Sequence, residues 1–134
     1  MGYRVGIDLV AVGTIEAALR DHGDGYLERV FTAEEAAQAA ASPARAARLA
    51  ERFAAKEAVA KILRPDAGTP LPWTTIEVHS ESGSRPTIVL TAEARALAAA
   101  SAISGFSVSL SLAGEYALAV VIAGSPGLLP IMGA

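Results

Sequence analysis

The chain has 134 residues, a length that predicts one domain with its own hydrophobic core. Because 52% of the residues are hydrophobic and only 19% are charged, the composition excludes an intrinsically disordered protein. The net charge of −3 argues against a nucleic-acid partner, and the absence of cysteine excludes disulfides and thiolate metal sites. Only 5% of the residues are aromatic, so side chains are small and we expect additional burial between the subunits of an oligomer.

The sequence contains no segment typical of a secretory signal or a membrane span. Residues 1–5 lack a basic region followed by an apolar stretch. The longest strongly apolar run, residues 117–123, is far shorter than the roughly 20 residues that cross a bilayer. We therefore expect a cytoplasmic protein with no membrane partner.

The first part of the chain predicts one strand followed by two helices. Residues 3–12 alternate and then become mostly apolar, which is typical of a largely buried strand. Thr14 is the predicted N-cap of a first helix that ends near Asp21 and is closed by His22-Gly23. Thr32, followed three residues later by Glu35, is a capping box that opens a short second helix.

The longest predicted element is a helix over residues 44–63. The segment is rich in Ala, Leu, Glu, Lys and Arg, which favour helix, and Pro65 follows its end. Pro43 fits at or just before its first turn. Three prolines and a glycine within residues 64–72 predict a loop after the helix.

The second half predicts two hairpins separated by a helix. Strands are expected at residues 74–79 and 87–90, then at 106–112 and 116–123, with a helix capped by Thr91 over residues 92–100. This order of elements predicts an α+β protein with antiparallel strands and one long central helix. We expect residues 1–124 to form the domain and residues 125–134 an irregular tail.

Asp8 interrupts an otherwise apolar strand. An unpaired carboxylate in that setting would cost several kcal/mol, so it requires a cation, hydrogen-bond donors or a metal ion, unless the position is exposed. Glu57 and Lys61 in the main helix have the i, i+4 spacing of an intrahelical ion pair. Such pairs are common on solvated faces and by themselves indicate no function.

Charge is unevenly distributed along the chain. Residues 14–35 have a net charge of −4 from two basic and six acidic residues, whereas residues 43–64 have +4 from six basic and two acidic residues. Within the basic segment, helical spacing gathers four side chains into one stripe suited to phosphate: Arg45, Arg48, Arg52 and Lys56. This polarity suits an anionic ligand or self-association.

Two motifs resemble those of the 4′-phosphopantetheinyl transferases of the holo-acyl-carrier-protein synthase type. They are Gly6-Ile7-Asp8-Leu9-Val10 and, about fifty residues later, Arg52-Phe53-Ala54-Ala55-Lys56-Glu57-Ala58-Val59-Ala60-Lys61. Shorter similar segments extend the resemblance over nearly the whole chain: Arg29–Thr32 with Glu35, Arg85-Pro86, and Ser109–Ser111 with Tyr116-Ala117. The resemblance implies this family's α+β fold, assembled as a homotrimer with coenzyme A in the clefts between subunits.

The resemblance also implies roles for individual residues. Asp8 and Glu57 are expected to hold Mg²⁺ on the pyrophosphate of coenzyme A, and Lys61 to neutralise phosphate oxygens and assist the transfer. Further contacts to coenzyme A are expected from Arg52, Lys56, Arg85, Pro86 and Ser111. The implied reaction transfers the 4′-phosphopantetheine arm to a serine of an acyl carrier protein and releases adenosine 3′,5′-bisphosphate.

Three positions depart from the pattern of that family. The last hairpin reads Ser111-Leu112-Ala113 where the family has Ser-His-Thr or Ser-His-Asp, and a leucine cannot donate a hydrogen bond to phosphate. Thr14 and Glu16 stand where the family presents basic residues to an acidic carrier protein. Ser84 replaces a glycine before Arg85.

These departures leave two alternatives to the transfer reaction. The first is a diverged homologue that uses the same cleft to bind or convert a hydrophobic biosynthetic intermediate of polyketide or acyl type. The second is a non-enzymatic trimer, in which Asp8, Glu57 and Lys61 form only an ion-pair network.

Overall fold

The computed structural model describes residues 2–65, 68, 70–81 and 83–125. The elements in chain order are β1 (Arg4–Ala11), α1 (Val12–Val30), α2 (Ala33–Ala40), α3 (Arg45–Leu63), a 3₁₀ turn (Trp73–Thr75), β2 (Ile76–His79), β3 (Thr87–Leu90), α4 (Ala92–Ala100), β4 (Gly105–Ala113) and β5 (Tyr116–Gly124). The predicted α+β class is confirmed. The predicted tail lies almost wholly outside the described residues.

All strand pairs are antiparallel, as predicted. β1, β5 and β4 form a three-stranded sheet in that order, whereas β2 and β3 form a separate hairpin. Helix α3 packs on one face of the three-stranded sheet, and its apolar residues supply much of the core. A Cβ on Gly6 would lie 2.2 Å from the main-chain oxygen of Ala58, so β1 and α3 touch backbone to backbone at this point.

Helix α1 differs from its prediction at its start and in a second helical segment that follows a kink. It begins at Val12, directly after β1, because the Val12 N–H bonds the main-chain oxygen of Glu115 at 2.8 Å; the predicted Thr14 cap is wrong. Gly23 adopts φ 53° and ψ −132°, a non-helical conformation that glycine tolerates, so the first helical segment ends where predicted. The second segment, which continues from this kink to Val30, was not predicted.

The other helix boundaries follow the sequence closely. The capping box is confirmed, with Glu35 N–H bonding Thr32 Oγ1 at 3.2 Å and Thr32 N–H bonding Glu35 Oε1 at 2.8 Å. Helix α3 begins at Arg45, one residue after the predicted start. Thr91 occupies the N-cap position of α4, but its side chain makes no capping hydrogen bond.

The outer face of the three-stranded sheet is apolar and open. Val5, Ile7 and Leu9 of β1 are 65%, 56% and 58% exposed. Their partners on β5, which lie on the same face, are also large and apolar: Ile122, Val120 and Leu118. An uncovered patch of this kind is typical of a protein–protein interface.

No described helix is long and apolar enough to cross a membrane.

Candidate active site

Asp8 and Lys61 meet between strand β1 and helix α3. The Lys61 Nζ atom lies 2.8 Å from Asp8 Oδ1 and donates a second hydrogen bond to the Ile7 main-chain oxygen at 2.9 Å. Asp8 is largely buried, whereas the Lys61 side chain is 57% exposed. The ion pair therefore joins residues 53 positions apart and provides the cation that Asp8 requires in its apolar strand.

Glu57 lies beside the same carboxylate. The pKa of Glu57 is raised to about 7: burial is the largest cause, a hydrogen bond with Asp8 and the negative charge of Asp8 add to it, and the ammonium of Lys61 opposes the shift. Near neutral pH, the two adjacent carboxyl groups therefore favour a state in which only one of them is negatively charged. Glu57 stands one turn before Lys61 on α3, so the helix directs both side chains towards β1.

The pair of carboxyl groups fits a divalent cation. Asp8 Oδ2 is buried and has no hydrogen-bond partner in the described part of the chain, so it has free coordinating capacity. A hard cation such as Mg²⁺ prefers carboxylate oxygens and is commonly held by only one or two of them, with the remaining ligands from substrate phosphates and water. The described residues contain no cluster of three or more metal-ligating side chains.

Lys56, predicted to contact phosphate, points into the core instead. Its side chain is fully buried, forms a 2.7 Å ion pair with Glu35 and hydrogen-bonds the main-chain oxygens of Trp73 and Ile76. Burial lowers the pKa of Lys56, and the Glu35 carboxylate opposes that shift. Its position is at odds with the predicted phosphate contact, because all of its described bonds are internal.

Arg52 is buried in the same way. One of its terminal nitrogens donates to the Ser80 main-chain oxygen at 3.0 Å and to Gln38 Oε1 at 3.1 Å, while the other bonds the Arg48 main-chain oxygen at 3.0 Å. The predicted basic stripe thus turns inward along α3: Arg45 is exposed, Arg48 is half-exposed and paired with Glu51, and Arg52 and Lys56 are buried.

These buried side chains form hydrogen bonds with the edge of strand β2 that does not face β3. β2 bonds β3 on one side only. On its other side, Val78 N–H donates to Glu35 Oε2 at 2.8 Å and Ser80 N–H donates to Gln38 Oε1 at 3.1 Å. Since Lys56 and Arg52 donate to the carbonyls of the same edge, four side chains take the place of a neighbouring strand. We call Glu35, Gln38, Arg52 and Lys56 the edge clamp.

The remaining predicted site residues lie apart from Asp8 within one chain. Arg85 and Pro86 belong to the turn between β2 and β3, where Arg85 is exposed. Ser111 is opposite Leu118 on β5, on the open outer face of the sheet. Asp8 lies on the other face, opposite Ala119, so one subunit does not bring Ser111 to it.

Two surface cavities flank these elements. One of about 560 Å³ lies between the edge clamp and the α2–α3 loop and is lined by Arg48, Arg52, Gln38 and Ser80 among others. The second, of about 420 Å³, is lined by Val12, Ala47, Leu112 and Tyr116 together with the carboxylates Glu16 and Glu115. Leu112, the residue that replaces the family's histidine, therefore faces a mainly apolar recess.

Sequence reasoning missed two members of this arrangement. Glu35 was identified only as a capping residue, although the same carboxylate also binds Lys56 and Val78. Gln38 was not identified at all. Its i, i+3 spacing from Glu35 places both on one face of α2, the only sequence signal that links them.

We expect Glu57→Gln to reduce a pH dependence of stability. Because the pKa of Glu57 is raised in the folded chain, the folded state retains its proton at a pH where the unfolded state has lost it. Without divalent cations, stability should therefore fall as the pH rises from about 5 to about 8, through the folded pKa. Urea unfolding at both pH values measures this loss, which should be smaller in Glu57→Gln; equal losses in both proteins would contradict the assignment.

Comparisons with known proteins agree with this geometry. A family model described as the 4′-phosphopantetheinyl transferase superfamily matches residues 4–121. The holo-[acyl-carrier-protein] synthase of Moorella thermoacetica is 40% identical over 117 residues, which cover 87% of this chain and 90% of that protein. That of Alkalilimnicola ehrlichii is 39% identical over 119 residues, covering 88% and 93% respectively.

Solved structures give the same result. The crystal structure of the holo-[acyl-carrier-protein] synthase from Neisseria meningitidis superposes with a TM-score of 0.78 at 27% identity, covering 93% of this chain and 100% of that chain. The complex of the Chronobacterium ammoniagenes protein with coenzyme A gives a TM-score of 0.79 at 28% identity, covering 93% and 98%. The resemblance found in the two sequence motifs is thus confirmed, and the chain belongs to the 4′-phosphopantetheinyl transferase superfamily of enzymes.

Proposed function

We propose that this protein transfers the 4′-phosphopantetheine arm of coenzyme A to a serine of an acyl carrier protein, with Mg²⁺. The observation that carries the proposal is the convergence of Asp8, Glu57 and Lys61 on one corner between β1 and α3. The names of the similar proteins support the reaction class, and the similar Helicobacter pylori structure, with a TM-score of 0.77 and 26% identity, is a complex with coenzyme A.

In this reaction the serine oxygen forms a bond to the β-phosphorus of coenzyme A. The bond from that phosphorus to the oxygen bridging it to the α-phosphorus breaks, adenosine 3′,5′-bisphosphate leaves with that oxygen, and the proton of the serine hydroxyl passes to water. Negative charge accumulates on the phosphate oxygens, so positioning and charge neutralisation supply most of the catalysis. When bound, Mg²⁺ supplies Lewis-acid stabilisation of that charge.

Asp8 and Glu57 are the residues that would hold the metal ion. Glu57 must be ionised to do so, and its pKa of about 7 places this ionisation near neutral pH. Lys61 is suited to the phosphates because its ammonium is exposed and already adjacent to the carboxylate pair. Arg85, Pro86 and Ser111 remain proposed contacts of coenzyme A, whereas for Lys56 we favour the clamp role over a direct contact.

The proposed active unit is a homotrimer whose clefts combine residues of two subunits. The open apolar face of β1 and β5 supports this assembly, because three large side chains of β1 are more than half exposed in the isolated chain. Ser111 lies on that face, so a neighbouring subunit packed there would bring it into the interface.

Replacing Ile7 by Glu should break the trimer. Its side chain is 56% exposed at the middle of the apolar face, and three buried carboxylates around one axis would be desolvated and would repel each other. Light scattering should give the mass of a trimer for the natural protein and the mass of a single chain for Ile7→Glu. Glu28→Gln, a substitution at an exposed position of α1, is the control and should remain a trimer. A monomeric natural protein would contradict the proposal.

Leu112→His should improve binding of coenzyme A. An imidazole can donate a charge-assisted hydrogen bond to phosphate, worth about 1.5–3 kcal/mol, and leucine cannot. We expect the Kd for coenzyme A to fall roughly tenfold to a hundredfold in calorimetry. An unchanged Kd would mean that the recess beside Leu112 has been remodelled more widely.

The second candidate function is binding or conversion of a hydrophobic biosynthetic intermediate in the same cleft. The observation that favours it is the apolar lining of the 420 Å³ recess at Leu112. The two functions are separated by incubating the protein with coenzyme A, Mg²⁺ and a panel of apo carrier proteins. The pantetheine mass increment on a carrier supports transfer, and its absence from every carrier would overturn the proposal.

A carrier panel should include partners that are not acidic. Exposed acidic side chains on α1 and beside the recess, among them Glu16, Asp21 and Glu115, would repel an acidic carrier.

A further inference from the structure

The buried charges of α3, on Arg52 and Lys56, hold one particular piece of the fold. Arg52 and Lys56 are 1% and 0% exposed, although charged residues are almost never fully buried unless paired. Their described partners are the main-chain oxygens of β2, of the 3₁₀ turn and of Arg48, with Glu35 and Gln38 of α2.

The edge clamp acts at both ends of β2. Lys56 and Glu35 bind Ile76 and Val78, while Arg52 and Gln38 bind both the N–H and the oxygen of Ser80. Ser80 is the last residue before the hairpin turn, and Arg85 and Pro86 close that turn. Side chains of α2 and α3 therefore bind the outer edge of the two-stranded hairpin along the length of β2.

Helix α3 carries two residues of the edge clamp, Arg52 and Lys56, and also carries Glu57 and Lys61, which together with Asp8 of β1 form what we call the reactive corner. Lys56 is the immediate neighbour of Glu57, and Arg52 is five residues before it. A change in the contacts of β2 with Arg52 and Lys56 would displace the turn between β2 and β3 relative to Glu57 and Lys61. Glu57 and Lys61 themselves would stay in place. Displacements of about 1 Å at a reactive site are sufficient to change activity strongly.

We infer that the edge clamp is a positioning device, which sets where Arg85 and Pro86 stand relative to Asp8, Glu57 and Lys61. This inference rests on the proposed function, because it concerns how the hairpin turn is presented to coenzyme A. Gln38 and Lys56 are positioning residues in this scheme, because they act through Arg85.

A double-mutant cycle tests this relation. Gln38→Met removes the amide oxygen that binds Ser80 and Arg52 but leaves the buried ion pair intact. We expect Gln38→Met and Arg85→Ala each to raise the Kd for coenzyme A about tenfold, and the double variant to raise it no further, because both act on one contact. Arg20→Met removes one positive charge from an exposed pair with Asp21 and should leave the Kd unchanged.

Amide hydrogen exchange tests the clamp in the protein without ligand. Peptides from residues 76–90 should exchange faster in Gln38→Met, and faster still in Lys56→Met, than in the natural protein or Arg20→Met. In Gln38→Met, peptides from α4 should not change. This readout needs no bound coenzyme A, so failure of the clamp is distinguishable from failure of the proposed function.

Three results would overturn the inference. A rise of about a hundredfold in the Kd of the double variant, the product of the two single effects, would mean that Gln38 acts independently of Arg85. An unchanged Kd in Gln38→Met, with only a lower melting temperature, would mean a purely structural role. Unchanged exchange at residues 76–90 would mean that the clamp does not hold the hairpin.

Discussion

Lys56→Met is expected to lower the free energy of unfolding by about 3–5 kcal/mol. The substitution keeps most of the side-chain volume but leaves the Glu35 carboxylate buried without its cation. It also removes the donor to the Trp73 and Ile76 main-chain oxygens. Urea denaturation followed by circular dichroism measures the loss.

Two variants define the origin of that effect. Glu35→Gln combined with Lys56→Met removes both charges, so it should cost less than Lys56→Met alone, since no unpaired ion remains. Arg20→Met breaks an exposed ion pair and should change stability by no more than about 0.5 kcal/mol. A Lys56→Met protein as stable as Arg20→Met would refute the buried pair.

Gly6→Ala is expected to destabilise the protein by about 3 kcal/mol or more. The new methyl group would lie 2.2 Å from the Ala58 oxygen and 2.9 Å from the Ala58 carbonyl carbon, both main-chain atoms of α3. No side-chain rotation relieves a clash between two backbones, so β1 must move away from α3. Because Asp8 is two residues further along β1, the same movement should also weaken its ion pair with Lys61.

Gly13→Ala is the matched control for this prediction. No atom lies within 4 Å of a Cβ built at Gly13, and the residue is in the first turn of α1. Alanine favours helix over glycine by up to about 1 kcal/mol, so stability should stay constant or rise slightly. Thermal unfolding of both variants decides: equal melting temperatures for Gly6→Ala and Gly13→Ala would contradict the close approach of β1 and α3.

The regular elements were predictable because their signals are local. The Thr32 capping box, the helix-favouring composition of α3 and the alternating pattern of β4 and β5 each act within a few residues. The break of α1 at Gly23 was predictable because glycine readily adopts the conformation found there. The helical segment that follows it to Val30 was missed.

The inward turn of the basic stripe was not predictable from spacing. Helical periodicity places Arg52 and Lys56 on one side of α3, but it does not tell which side faces the core. The general preference of basic residues for solvent predicts the wrong side here. The deciding factor is the unpaired edge of β2, which is distant in sequence and requires donors and acceptors inside the protein.

The reactive corner could be predicted only through family resemblance. The sequence suggested a local pair of Glu57 with Lys61, whereas the structure turns Lys61 to Asp8, 53 residues away. No spacing rule connects a strand residue with a helix residue over that distance. What the residues alone indicated correctly is that Asp8 needs a charged partner.

We propose that Asp8 and Glu57 form a Mg²⁺-dependent site for coenzyme A. Its most direct test is calorimetric titration of the assembled protein with coenzyme A, with and without Mg²⁺, in parallel with Asp8→Asn. We predict that Mg²⁺ tightens binding in the natural protein and has little effect in Asp8→Asn, which keeps the shape of Asp8 but loses its charge. Binding that is equally strong with and without Mg²⁺ in both proteins would contradict the claim.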